Sequence, residues 1–151
     1  MIIETLKSLF NRELNKLKEE IALYQNEDML WQTDKQIANS AGNLCLHLIG
    51  NLNTYIGAAF GNSKYIRDRP LEFSLQGVLR SELIKKIDDT ILVVNNSLCN
   101  LTEEELKKWY PVLVLDKETS IEYFLIHLLA HLTYHLGQIN YHRRLLDEQA
   151  V

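Results

Sequence analysis

The chain has 151 residues, 46% of them hydrophobic and 24% charged, with a net charge of -4 at pH 7. That length and apolar content can bury one core, so a single domain over residues 1 to 151 is expected. The acidic balance excludes a broad phosphate-binding surface and hence a nucleic-acid partner, and no apolar run is long enough to make a membrane span.

The N-terminal stretch MIIETLKSLFNREL lacks a basic region and a small-residue cleavage site, so it does not read as a secretory signal. Ile2, Leu6, Leu9, Phe10, Leu14, Leu17, Ile21 and Tyr24 recur every three or four residues and predict an amphipathic helix over 2 to 24. Residues 26 to 40 read as a connection, with Asn39 or Ser40 available to cap the next helix. That second helix is expected over 41 to 60, through Leu44, Leu48, Leu52, Tyr55 and Ala59, with Gly61-Asn62 as its stop. KYIRDRPLEF then reads as a charged loop closed by Pro70.

Val78, Leu79, Leu83, Ile87, Ile91 and Val94 predict a third helix over 75 to 98. TEEE at 102 to 105 has the spacing of a capping box and opens a short helical turn; Glu103–Glu105 is read as its solvated start. Val112 to Leu115 reads either as a short strand or as an extended loop. The last helix is expected over 120 to 146, capped by Ser120. Four long helices and only two prolines point to an all-α fold, a four-helix bundle.

Four of the five histidines lie in the last of these helices. At about 100° per residue, His127, His131, His135 and His142 share one stripe, with Gln138 inside it and the apolar face beside it. The second helix repeats the pattern, since Asn43, His47 and Asn51 form a polar line beside Leu44, Leu48 and Leu52. If the two lines meet, they enclose a polar pocket, and a metal is its natural occupant because imidazole suits zinc, nickel, copper or iron.

Side chains four apart are separated by about 6 Å of rise and can converge on one ion, whereas eight apart means about 12 Å. The pair is therefore His127/His131 or His131/His135, with His47 as third ligand. Three protein nitrogens would leave coordination positions open to water or substrate. The segment is not the H-E-x-x-H of metalloproteases, because Leu132 and Thr133 follow His131.

Other residues weigh less. Arg67 and Arg69, near Lys64 and Tyr65, are candidates to hold a carboxylated thiol cofactor, against the plainer reading of a solvated charged loop. Cys45 sits about 200° round its helix from His47 and is not expected at the site. Cys45 and Cys99 lie far apart and read as free thiols of a cytoplasmic protein. Tyr134 and Tyr141 are read as aromatic packing or dimer contacts.

NSAGNLCLHLIGNL at 39 to 52 and HLLAHLTYHLGQINYHRRLL at 127 to 146 resemble the DinB-like superfamily of small bacterial proteins. The resemblance covers nearly the whole chain, and its H-x3-H-x-G-Q-I element with an upstream H-L-x-G-N is fairly specific. It implies a four-helix bundle, often a homodimer, with a three-histidine divalent metal site. It assigns the ligands to His47, His131 and His135, with His127 lining the pocket or bonding a neighbour and His142 structural. Many relatives carry His-His-Arg-Gly-Gln where this chain has Tyr134-His135-Leu136-Gly137-Gln138, which keeps the ligand and changes its surroundings.

Similar characterised branches are metal-dependent transferases or isomerases that use a low-molecular-weight thiol. The expected function is therefore a zinc- or nickel-dependent enzyme whose ion activates a thiol or water, a thiol transferase or a hydrolase acting on a small-molecule substrate, with His127 or Gln138 orienting a reactant. The alternatives are a non-catalytic metal- or small-ligand-binding protein of stress responses, and an oligomerisation bundle whose histidines only fill a polar layer.

Overall fold

A computed structural model describes residues 1–147; of the expected domain, residues 148–151 lie outside the described residues. Among the described residues five α-helices occur in order: α1 (Ile2–Leu23), α2 (Ala41–Leu52), α3 (Arg69–Ser74), α4 (Arg80–Cys99) and α5 (Ile121–Leu146). Among the described residues there is no strand, only an isolated bridge between Trp109 and Ser120. The fold is the all-α bundle that the periodicity predicts. No helix of the described residues is long and apolar enough to cross a membrane.

Helix α1 packs against α4 and α5, and α2 packs against the same two helices from the other side. In α1 the residues at the predicted spacing, Leu6, Phe10, Leu14, Leu17 and Ile21, are buried together with Ile87 and Val94 of α4 and Leu132 and Leu136 of α5. Ser40 caps α2 by accepting from the Asn43 amide at 3.2 Å, and Ser120 caps α5 by accepting from the Tyr123 amide at 3.1 Å. Thr102 and Glu105 form the reciprocal capping box, at 2.8 and 3.2 Å, which opens a short 3-10 turn over Glu105–Lys107.

Several boundaries differ from the sequence expectation. The second helix is not uniform: beyond α2 the chain continues through a π-helical segment, Asn53–Ala58. There the Asn53 side-chain amide donates to the Ile49 carbonyl at 2.8 Å, competing with the regular ladder. The expected charged loop closed by Pro70 contains α3 instead. Asp68 caps α3, accepting from the Leu71 amide at 3.1 Å, and Pro70 lies in its first turn, so the proline opens a helix. The third long helix begins at Arg80 and not near residue 75, because Gly77 takes a φ of 73° that a continuing helix cannot hold. Val112 to Leu115 forms no strand.

Helix α2 is the element that places the site. Every residue from Ala41 to Leu52 is buried, because α3 covers the side that α4 and α5 leave open. Its polar residues must therefore find partners inside the protein. Asn43 does so by donating to the Glu72 and Leu75 carbonyls at 2.9 and 2.7 Å, which ties the C-terminal end of α3 to α2.

A candidate three-histidine metal centre

One turn further along α2, His47 projects toward α5. Its Nε2 lies 3.2 Å from His131 Nε2, and His135 Nε2 lies 3.2 Å from the same atom. One ligand atom from each of the three residues falls within 4.8 Å of the others. The rings stand nearly perpendicular, at 76° for His47 and His131 and 89° for His131 and His135. Three edges thus point at a common centre.

The partners of the outer nitrogens favour one tautomer of His47 and of His135, although Arg67 Nη2 also lies 3.3 Å from His47 Nδ1. His47 Nδ1–H donates to Glu72 Oε1 at 3.1 Å, and His135 Nδ1–H donates to Gln138 Oε1 at 2.7 Å. Both imidazoles thereby present the Nε2 lone pair inward. His131 Nδ1 is buried without a hydrogen-bond partner among the described residues. Burial, then the neighbouring His135 and His47 rings, pushes His131 down to about 4, and burial also lowers His47 against the opposing pull of Glu72. His47 and His131 are thereby held toward their neutral, metal-binding form.

A divalent ion fits this donor set. Metal–nitrogen bonds of about 2.0–2.1 Å at a tetrahedral angle give nitrogen–nitrogen edges of about 3.3 Å, close to the two short edges observed. The residues present can therefore hold zinc, nickel or a similar ion, and they leave part of the coordination sphere to water or substrate.

Glu72 is the functional residue that sequence reasoning missed. It is buried, and Arg67 grips it through two bonds, Nε to Oε2 at 2.8 Å and Nη2 to Oε1 at 2.9 Å. The carboxylate thus receives a guanidinium on one side and the His47 N–H on the other. Gly50 makes this possible: a Cβ there would overlap the Glu72 carboxylate, standing 2.6 Å from its Cδ. The only signal in the sequence was the Asp68 cap with Pro70 behind it, which places Glu72 on a helix but does not say what that helix covers.

A cavity of about 300 Å³ opens beside the cluster, with His47 and His131 in its wall together with Asn51, Tyr55, Arg67, Arg69, Val114, Phe124, His127 and Leu128. Arg67 is not the solvated loop residue of the plainer reading, since it is held against Glu72 and over the Tyr55 ring. Arg69 is exposed at the rim, over Phe73. His127 stacks on Phe124 at 5.8 Å and lines the cavity without joining the three converging nitrogens. Gln138 is exposed outside the cavity wall and touches His135. The Oδ1 of buried Asn51 has no protein partner among the described residues.

The remaining candidates fall away from the site. His142 is buried between α1 and the 24–40 connection, 2.6 Å from the Tyr24 hydroxyl and 2.7 Å from the Gln32 carbonyl. Cys45 is buried, with its thiol pushed up to about 12 by burial, and Cys99 is free and exposed.

Comparison with curated proteins returns no match. A family model does match, over residues 2–151, and the chain accordingly belongs to the family described as "Protein of unknown function (DUF1572)".

Proposed function

We propose that this chain is a divalent-metal-dependent enzyme of the DinB-like superfamily, which joins a low-molecular-weight thiol to a small electrophilic substrate. The observation that carries the reading is the convergence of three Nε2 atoms at the wall of a cavity that also holds cationic and imidazole side chains. The family match and the H-x3-H-x-G-Q-I element, His131 to Ile139, support the superfamily assignment. When bound, the ion, zinc or nickel, supplies a positive charge that favours the anionic form of a thiol or water at neutral pH.

The chain's own residues do the rest. His47, His131 and His135 are the ligands, and Glu72 with Arg67 keeps His47 in the tautomer that presents Nε2. Gln138 does the same for His135, so it positions a ligand and does not contact reactants. His127, in the cavity wall, accepts the thiol proton or orients the electrophile. Arg69 at the rim pairs with a carboxylate of the thiol. Phe124, Leu128 and Val114 exclude bulk water and strengthen these interactions. Two free cysteines fit a reducing compartment, the cytoplasm.

A second reading has one observation in its favour. Among the described residues no aspartate or glutamate lines the cavity, since Glu72 is taken up by His47 and Arg67. That would suit a module that binds a metal or small ligand without turning it over. The two are separated by assaying thiol–electrophile pairs with metal-loaded protein. The enzyme reading expects turnover that a chelator abolishes and zinc or nickel restores. Tight ligand binding with no turnover across a broad panel establishes the binding module instead.

A further inference from the structure

Two of the three converging histidines have their outer nitrogen held from behind, and the third does not. His47 Nδ1 is met by Glu72 and His135 Nδ1 by Gln138, whereas His131 Nδ1 is buried and has no partner among the described residues. Ligand histidines ordinarily give that N–H to an acceptor, which fixes the tautomer and raises the basicity of the coordinating nitrogen.

A matching acceptor stands in the same wall. Four buried side-chain polar atoms lack a partner among the described residues: Trp31 Nε1, Asn51 Oδ1, Thr54 Oγ1 and His131 Nδ1. Of these, only Asn51 and His131 line the cavity beside the cluster. Trp31 packs its ring on Gly42 at the other end of α2, and Thr54 lies in the π-helical segment beyond it. Helix α2 runs antiparallel to α5: Leu44 lies with Gln138 and His142, His47 with His131 and His135, and Asn51 with His127 and His131. Asn51 follows His47 by one turn, and side chains on a helix tilt toward its N-terminus. The Asn51 carboxamide therefore leans back toward the level of His131.

Proton placement explains why the two do not bond in the absence of an ion. His131 Nε2 lies 3.2 Å from both His47 Nε2 and His135 Nε2. With lone pairs on those two atoms, the cluster closes when His131 carries its single proton on Nε2 and donates it to one of them. Its Nδ1 is then an acceptor, and two acceptors do not pair.

We propose that Asn51 is the positioning residue for His131: when an ion occupies the centre, His131 carries its proton on Nδ1 and donates it to Asn51 Oδ1. The inference rests on the three-histidine centre proposed above. Coordination takes the Nε2 lone pair, so the one proton of the neutral ring leaves Nε2 and Nδ1 holds one instead, with no change in the charge of the ring. A buried N–H without an acceptor would weaken this ligand, and Asn51 removes that cost. Each ligand then has its own oxygen behind it, from Glu72, Asn51 and Gln138. The polar line of α2 divides accordingly: Asn43 anchors α3, His47 binds, and Asn51 supports the histidine opposite.

Zinc affinity, measured on the full chain by competition with a chromophoric chelator, tests the proposal together with NMR of 15N-labelled histidine. Asn51→Leu, close in shape, should weaken zinc binding about 10- to 100-fold. The zinc-loaded variant should lose the hydrogen-bonded Nδ1–H signal of His131 and keep those of His47 and His135. Without zinc, His131 should carry its proton on Nε2 in both proteins. The metal-free variant should be at least as stable in urea as wild type, because an unpaired buried acceptor has been removed. Wild type that binds no zinc overturns the metal centre, and this inference with it. Wild type that binds zinc no more tightly than Asn51→Leu, or that holds zinc through His131 Nδ1, overturns the role of Asn51 alone. A metal-free variant less stable than wild type does the same, since Asn51 would then already have a partner.

Discussion

Four histidines share one stripe of α5, yet they end in three different situations, and each is decided by a neighbour elsewhere in the fold. His131 and His135 meet His47, 84 residues from His131. His127 stacks on Phe124 at the cavity. His142 closes the other end, accepting from the Tyr24 hydroxyl and donating to the Gln32 carbonyl. Burial holds His142 below its ordinary value of 6.5. The unfolded chain then binds more protons than the folded one below that pH, so this contribution to stability is full above 6.5 and is lost as pH falls toward the depressed folded value. His142→Ala should lower the unfolding free energy at pH 7 by about 2–4 kcal/mol, from the cavity and the orphaned Tyr24 hydroxyl. It should also flatten the fall of the urea midpoint between about pH 7 and pH 5.5, while bound metal stays at the wild-type level. A variant as stable and as pH-sensitive as wild type would contradict a structural role.

At the scale of elements, the informative one is α3. The long helices were legible because burial imposes a period of 3.6 on their apolar residues. A six-residue helix is too short to show that period, and its charges resemble a loop. Its function is legible only after docking: Asn43 fixes its end, Arg67 clamps Glu72, and Glu72 orients His47. The polar line on α2 was visible in the sequence, but Asn43 within it serves to anchor α3. Gly50→Ala should therefore act on the metal without touching a ligand: the new methyl displaces the Glu72 carboxylate and loosens His47. Metal affinity measured by competition with a chromophoric chelator should fall about 10- to 100-fold, the range for loss of a partner behind a ligand. Glu72→Gln should weaken it in the same direction without the steric change, because a neutral amide holds the imidazole N–H less strongly. Unchanged affinity in both variants would remove α3 from any part in the site.

At the scale of the molecule, the bundle uses its longest helix on three sides. One face of α5 builds the core, one carries the histidines, and one is left exposed and uncharged. The sequence makes the first two readable, since periodicity separates leucines from imidazoles. It leaves open whether His127 or His135 joins His131, because both lie one turn away and only the position of α2 decides. The resemblance to the DinB-like pattern selects His135, and the convergence of nitrogens agrees with that selection. Elemental analysis of untagged protein, with alanine variants of each histidine, tests this centre most directly. Wild type should carry about one divalent ion per chain, His47→Ala, His131→Ala and His135→Ala should each lose most of it, and His127→Ala should retain more than any of the three. Wild-type protein without metal after incubation with zinc or nickel, or an empty His127→Ala beside a loaded His135→Ala, would contradict the three-histidine centre.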